Sequence, residues 1–129
     1  MSWPSWATLE AQIRARAPKF GVRADFAVAI ANLESGHGRM FEGDGDHKGR
    51  HPSSFGPFQL HYGGVNSRFP HGGLGDVFTH VTKLNARNSS SWQAQVDFAL
   101  EHFKRGDGHQ WSTYGKAVAA AGGPFGRRR

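Results

Sequence analysis

The sequence predicts a mainly α, single-domain protein. Apolar residues recur at helical spacing in several separate stretches, the 129 residues suffice for one core with little room for a second, and no internal repeat divides the chain. One polar segment in the first half interrupts this pattern and reads as a long loop set into the helical frame.

From the N terminus, Ser5 offers an N-cap for a short amphipathic helix to Ala17, with Leu9 and Ile13 at helical spacing and Pro18 ending it. The next segment, about 23–34, sets Phe26, Ile30 and Leu33 on one face among alanines that favour helix and permit close approach. It is the candidate central helix. Ser35 to Ser54 shows no period and repeatedly uses Gly, Asp and His, which suit turns and positive φ. Gly56-Pro57-Phe58-Gln59-Leu60 is too short for a helix and reads as a tight turn or short extended piece. Val77, Val81 and Leu84 return to helical spacing between Asp76 and about Arg87, with Asp76 as cap after Gly72-Gly73-Leu74-Gly75. Ser90-Ser91-Trp92-Gln93 contains a Ser-x-x-Gln capping box at the head of the stripe Trp92, Val96, Leu100 and Phe103, which stops at Gly106. A last helix is predicted from Trp111 to Ala121, before Gly122-Gly123-Pro124.

Composition bounds the function. Hydrophobic residues make up 37%, and 10 Phe with 4 Trp supply a bulky core despite 18 Gly, so the chain is globular with much loop. Cysteine is absent, which excludes disulfides and thiolate metal sites. The stretch MSWPSWATLEAQIRARAPKF lacks the apolar core of a signal peptide and no run reaches membrane-spanning length, so membrane insertion is not expected. A formal charge of +6 and a pI near 10.3 favour an anionic partner: nucleic acid, an acidic membrane face, or an anionic polymer such as a bacterial cell wall. Arg127, Arg128 and Arg129 end a basic tail at about 122–129 that reads as solvated, and Arg14, Arg16 and Lys19 form a basic rim whose default is also a solvated helix face. No RNA-binding or helix-turn-helix signature converts the charge into nucleic-acid recognition, so no nucleic acid is expected. Trp3 and Trp6 could pack the terminus or stack on a sugar, packing being the favoured reading.

The chemistry concentrates in ANLESGHGRMFEGDGDHKGRHPSSFGPFQL, residues 31–60. An apolar helix delivers Glu34 and gives way to the loop. Cleaving a glycosidic bond needs a carboxylic acid still protonated near neutral pH, so that it can protonate the leaving oxygen as an oxocarbenium-like state develops. Burial beside apolar groups and the negative end of a helix dipole both raise a carboxyl's proton affinity, and Glu34, after Leu33 at a helix end, is placed for both. A helix-ending Glu alone is far more often a solvated surface residue.

Taken as a unit, Glu34-Ser35-Gly36, the Gly/Asp loop and Ser54-Phe55-Gly56-Pro57-Phe58-Gln59 resemble the Glu-Ser … Gly-x-x-Gln signature of lytic transglycosylases and goose-type lysozymes. Gly21-Val22 through Ala29-Ile30 is similar to that superfamily's helix entry, and the likeness covers roughly residues 5–62, fading towards 120 through Trp111-Ser112-Thr113-Tyr114. The resemblance implies a small lysozyme-like fold with a long active-site loop and a β-1,4 glycosidase acting on peptidoglycan. It implies Glu34 as general acid, and in a transglycosylase also as base of the second step. It further implies Ser35 tying the turn, Gly56 admitting sugar close to backbone, and Gln59 holding the cleft floor or an N-acetyl group. Ser54, Phe58, Tyr62 and Tyr114 complete the expected substrate contacts, Phe58 being equally a core candidate. A hydrolytic muramidase needs a carboxylate to position water, for which the resemblance offers Asp46, with Asp44 its competitor. A transglycosylase uses the substrate's own 6-hydroxyl. Where those lysozymes often carry an aspartate two residues beyond the Gln, this chain has His61, and the superfamily's Ala-Tyr-Asn motif is not cleanly present. The His61 departure favours the transglycosylase outcome, whereas the missing motif is one that many transglycosylases carry, so the substrate is better indicated than the product.

Competing readings of the loop are metal sites. His47 and His51 lie four apart beside Asp44 and Asp46, but Gly49 argues against a helix and no Glu completes a zinc-protease pattern. Glu42-x-Asp44-x-Asp46 is similar to a calcium loop, yet Ser53 stands where a closing Glu belongs. No metal or other cofactor is therefore expected for catalysis, while a structural metal in the loop stays open. The partner expected is bacterial peptidoglycan. The chain is expected to be a monomer unless built into a phage particle, and the lack of an export signal predicts a phage-encoded enzyme, made in the host cytoplasm or carried in the virion. A non-catalytic wall-binding or phage structural module is the alternative class.

Overall fold

The computed structural model describes residues 2–43, 52–64 and 72–126. It is mainly helical, with α1 Trp6–Arg16, α2 Ala24–Ser35, α3 Leu74–Thr82, α4 Trp92–Lys104 and α5 Tyr114–Ala121. A small antiparallel sheet joins β1 Glu42–Gly43, β2 Ser54–Phe55 and β3 Leu60–His61 in that order. Among the described residues no helix is long and apolar enough to cross a membrane.

Helix α1 starts where the sequence places it: the Ser5 hydroxyl accepts the Thr8 backbone N–H at 3.2 Å. It ends in a single 3₁₀ turn over Ala17–Phe20, closed by Gly21 at φ +72°. Leu9 and Ile13 are buried against α2, which buries Phe26, Ala27, Ile30 and Ala31. The alanines let α1 and α5 approach α2 closely, as expected of the central helix. Leu33, expected on the same face, is exposed. Arg23 ties the C-terminal end to the start of α2, its Nη1 donating to the Ala121 and Gly123 carbonyls at 2.8 and 2.9 Å, so Gly122 to Pro124 lie against the body.

Helix α4 is the structural spine. Trp92, Val96, Leu100 and Phe103 are buried as their spacing predicts, with Gln95, Phe98, Ala99 and His102 buried beside them. The capping box expected at its start does not form. A 3₁₀ turn, Ser89–Ser91, precedes the helix, and the Ser91 hydroxyl lies 2.9 and 2.8 Å from the Asn85 and Asn88 carbonyls instead. The last helix is likewise shorter than expected, because 3₁₀ turn Gly108–Gln110 and Trp111 form a separate segment ahead of α5.

Two findings correct the expected third helix. It begins at Leu74, with Asp76 three residues inside and its carboxylate accepting the Gly73 N–H at 2.9 Å, and it stops at Lys83. Its buried face is Gly75 and Phe78, whereas Val77 and Val81 are 43% and 65% exposed and Leu84 is exposed just beyond. Apolar spacing marked the wrong face because glycine carries no apolar signal. A Cβ on Gly75 would stand 2.7 Å from both the His61 carbonyl oxygen and the Tyr62 ring, so its bareness lets α3 lie directly on β3.

The sheet was not foreseen as a sheet: the turn Gly56–Gln59 is the tip of a β2–β3 hairpin, with Phe55 opposite Leu60 and Ser54 opposite His61. Gly56 has φ +86°, and a Cβ there would collide with the side-chain amide of Gln95. That amide is wholly buried, donating to the Ala86 carbonyl at 3.1 Å and the Ser91 hydroxyl at 3.0 Å, and so has no room to retreat. Gly56→Ala is expected to destabilise the fold by about 2–4 kcal/mol through backbone strain and overpacking. Urea denaturation reads this; an unchanged midpoint would show that the turn and α4 do not constrain one another.

Candidate functional site

Glu34 occupies the last turn of α2, half-buried, where the negative end of the helix dipole disfavours added negative charge. The chain leaves it by a sharp reversal through Gly36, His37 and Gly38, all at positive φ. Ser35 makes that reversal rigid: its hydroxyl donates to the Ala31 carbonyl at 2.7 Å and accepts the Gly38 N–H at 3.0 Å. Trp6 packs on the same reversal, 4.6 Å from the His37 ring, and Trp3 stacks on Phe41 at 5.3 Å, so both tryptophans serve packing.

Glu34 opens into a cleft of about 690 Å³. Gln59 and His61 from the hairpin form one side of it, Gly72, Gly73, Leu74, Asp76 and Val77 at the head of α3 another, and Gln110, Trp111 and Ser112 a third. Gln59 sits at φ +50°, with Nε2 donating to the Gly56 carbonyl at 3.0 Å. The His61 Nδ1 is 3.3 and 3.2 Å from the Ser53 and Ser54 hydroxyls, which fix the ring. Asp76 Oδ2 accepts the Gly63 and Gly73 N–H groups at 3.0 and 2.9 Å and thereby staples the start of α3 to the chain after β3.

Two hydrogen bonds join these walls. The buried indole of Trp111 donates from Nε1 to the Phe58 carbonyl at 2.9 Å, tying the third wall to the hairpin turn. The Thr113 hydroxyl donates to Glu34 Oε2 at 2.7 Å, tying the same segment to the acid. Glu34 and Gln59, far apart in sequence, thus meet at one cleft through residues 111–113.

Several residues expected to touch substrate lie elsewhere. Phe58 is fully buried, its ring edge-on to Phe103 and Trp111, because the turn points it into the core. Tyr62 is buried as well, its hydroxyl 2.7 Å from Thr79 Oγ1 and accepting the Ala86 N–H at 2.8 Å. Ser54 is buried and serves His61, and Ser35 is buried and serves the turn. Gly56 faces Gln95 in the interior, and Tyr114 packs edge-on against Phe26. Of the expected contacts, Glu34 and Gln59 line the cleft. Asp46, Asp44, His47 and His51 lie outside the described residues. Among the described residues no cluster of three or more His, Asp or Glu is placed to hold a metal.

The arrangement also contains residues with no functional signal in the sequence: Thr113 on Glu34 and Gln110 on the cleft wall, with Asp76, expected only as a helix cap, lining it as well. Trp111 stood out only as part of an aromatic end. The expected basic rim is mostly paired. Arg16 meets Asp97 in a two-point contact at 2.9 and 3.0 Å, and Arg14 bonds Glu10 and Asp25 at 3.0 and 2.8 Å. The Arg14 bond holds the Asp25 carboxyl below its ordinary range.

No family model, curated protein or solved structure matches the chain.

Trp111→Phe keeps the ring packing but strands the Phe58 carbonyl, at an expected cost of about 1–3 kcal/mol. Chemical denaturation measures this, and a variant as stable as the parent would mean that the indole bond does not hold the third wall.

Proposed function

We propose that the protein is a peptidoglycan glycosidase of lysozyme-like fold that cleaves the β-1,4 bond between N-acetylmuramic acid and N-acetylglucosamine. The observation that carries this reading is the meeting of Glu34 and Gln59 at one open cleft. A half-buried carboxyl at a helix C terminus suits a general acid, and a primary amide across the cleft suits an N-acetyl or hydroxyl group. Glu34 would protonate the leaving glycosidic oxygen while Gln59 orients the sugar.

The lytic transglycosylase outcome is favoured, in which Glu34, once ionised, withdraws the proton of the substrate's 6-hydroxyl as that oxygen closes on the anomeric carbon. Supporting it, His61 stands on the cleft wall at the position where a water-positioning aspartate would be expected, and Asp76 Oδ2 is committed to two backbone N–H groups. The hydrolytic alternative rests on Asp46 positioning water. Phage-borne delivery to the wall fits an enzyme of this kind, and the apolar and polar faces of the cleft need no metal for this chemistry.

Glu34→Gln keeps the shape and the Thr113 contact but removes the proton donor. Clearance of purified cell walls is expected to fall by at least about 100-fold with the fold intact by circular dichroism. Undiminished clearance would remove Glu34 from the mechanism; wild-type protein that binds walls without clearing them would favour a binding module.

A further inference from the structure

Thr113 occupies the N-cap of α5, where a threonine hydroxyl ordinarily accepts a backbone N–H from the first turn, yet its side chain makes no such bond. The hydroxyl is turned to Glu34 Oε2 at 2.7 Å instead. The hydroxyl's single proton is thus committed to the cleft carboxyl. The segment carrying Thr113 is held from its other side by the Trp111 indole on the Phe58 carbonyl, so the donor is presented on a fixed backbone. Trp111 itself packs 5.0 Å from Phe103 of α4.

We propose that Thr113 is the positioning residue of Glu34, fixing the orientation of its carboxyl in the cleft and limiting how tightly it holds its proton. The proposal rests on Glu34 being the acid of the preceding reading. A hydroxyl donating to a carboxylate stabilises the ionised form, opposing the helix end and the apolar surroundings, which stabilise the neutral one. The balance matters because a transglycosylase acid must first give a proton to the leaving oxygen and then take one from the 6-hydroxyl. Among the described residues, the other titratable groups on the cleft walls are His61 of β3 and Asp76 of α3, and the 110–112 wall contributes none. Removing the Thr113 hydroxyl changes no charge at the site.

The test compares wild type with Thr113→Val, which is nearly isosteric but lacks the donor, and Thr113→Ser, which restores it. Thr113→Ala serves as a second donor-free variant if valine disturbs the helix end. The Glu34 side-chain carboxyl is titrated directly by carbon-13 NMR, with Glu34→Gln identifying its resonance, and wall clearance is measured against pH in parallel. Removing the donor is expected to raise the Glu34 midpoint by about one pH unit, with serine returning it towards the wild-type value. The alkaline limb of the clearance profile is expected to move in the same direction, because the protonated acid then persists to higher pH. A midpoint unchanged in the folded valine and alanine variants would overturn the proposal. A midpoint that moves while clearance proves indifferent to Glu34→Gln would leave the Thr113 coupling standing and remove the glycosidase reading instead.

Discussion

The seating of Gly56 on the buried amide of Gln95 sets how deeply the β2–β3 hairpin lies on α4, and the cleft depends on that depth. The contact works because one partner has no side chain and the other cannot move: Gln95 is held by the Ala86 carbonyl and the Ser91 hydroxyl. With the turn so placed, Phe58 drops into the core against Phe103 and leaves its carbonyl for the Trp111 indole. Trp111 in turn fixes the segment whose Thr113 reaches Glu34. The acid's surroundings are therefore built from α4 outwards, and α2 supplies the carboxyl to a cleft whose other walls are already in place.

Packing and chemistry divide the labour between neighbouring residues. In the turn Gly56-Pro57-Phe58-Gln59, Phe58 is core and Gln59 is cleft, a split made by the positive φ at Gly56 and Gln59 that directs successive side chains to different sides. At the other end Ser35 is buried and spends its hydroxyl on the backbone, while Glu34 faces the opening. Ser35 and Phe58 thus each carry a structural duty next to a residue that reaches the cleft.

Much of this was legible in the sequence because it is local. Ser5 as a cap, the stripe of α4, the alanine-rich α2 and the sharp departure at Ser35-Gly36 follow from spacing and turn chemistry. The small sheet was not legible, since each strand has two residues and period-two alternation cannot register in so short a piece. Helix α3 misled for a different reason: its valines form a clear stripe, but the face that packs on β3 is made close by Gly75 and anchored by Phe78. Tyr62 looked like a sugar contact because its buried partners, Thr79 and the Ala86 N–H, come from distant parts of the chain. Thr113 carried no signal at all, because its role exists only once α2 and α5 have packed. The motif residues Glu34 and Gln59, by contrast, were identified in sequence and share the cleft.

On the proposed reading, this cleft breaks glycan strands and the sugar's own 6-hydroxyl completes the reaction. Mass spectrometry of the soluble products released from purified peptidoglycan tests it most directly. Fragments ending in 1,6-anhydro-N-acetylmuramic acid are expected; ordinary reducing ends would rule out the transglycosylase route, and the absence of any released fragment would rule out glycan cleavage itself.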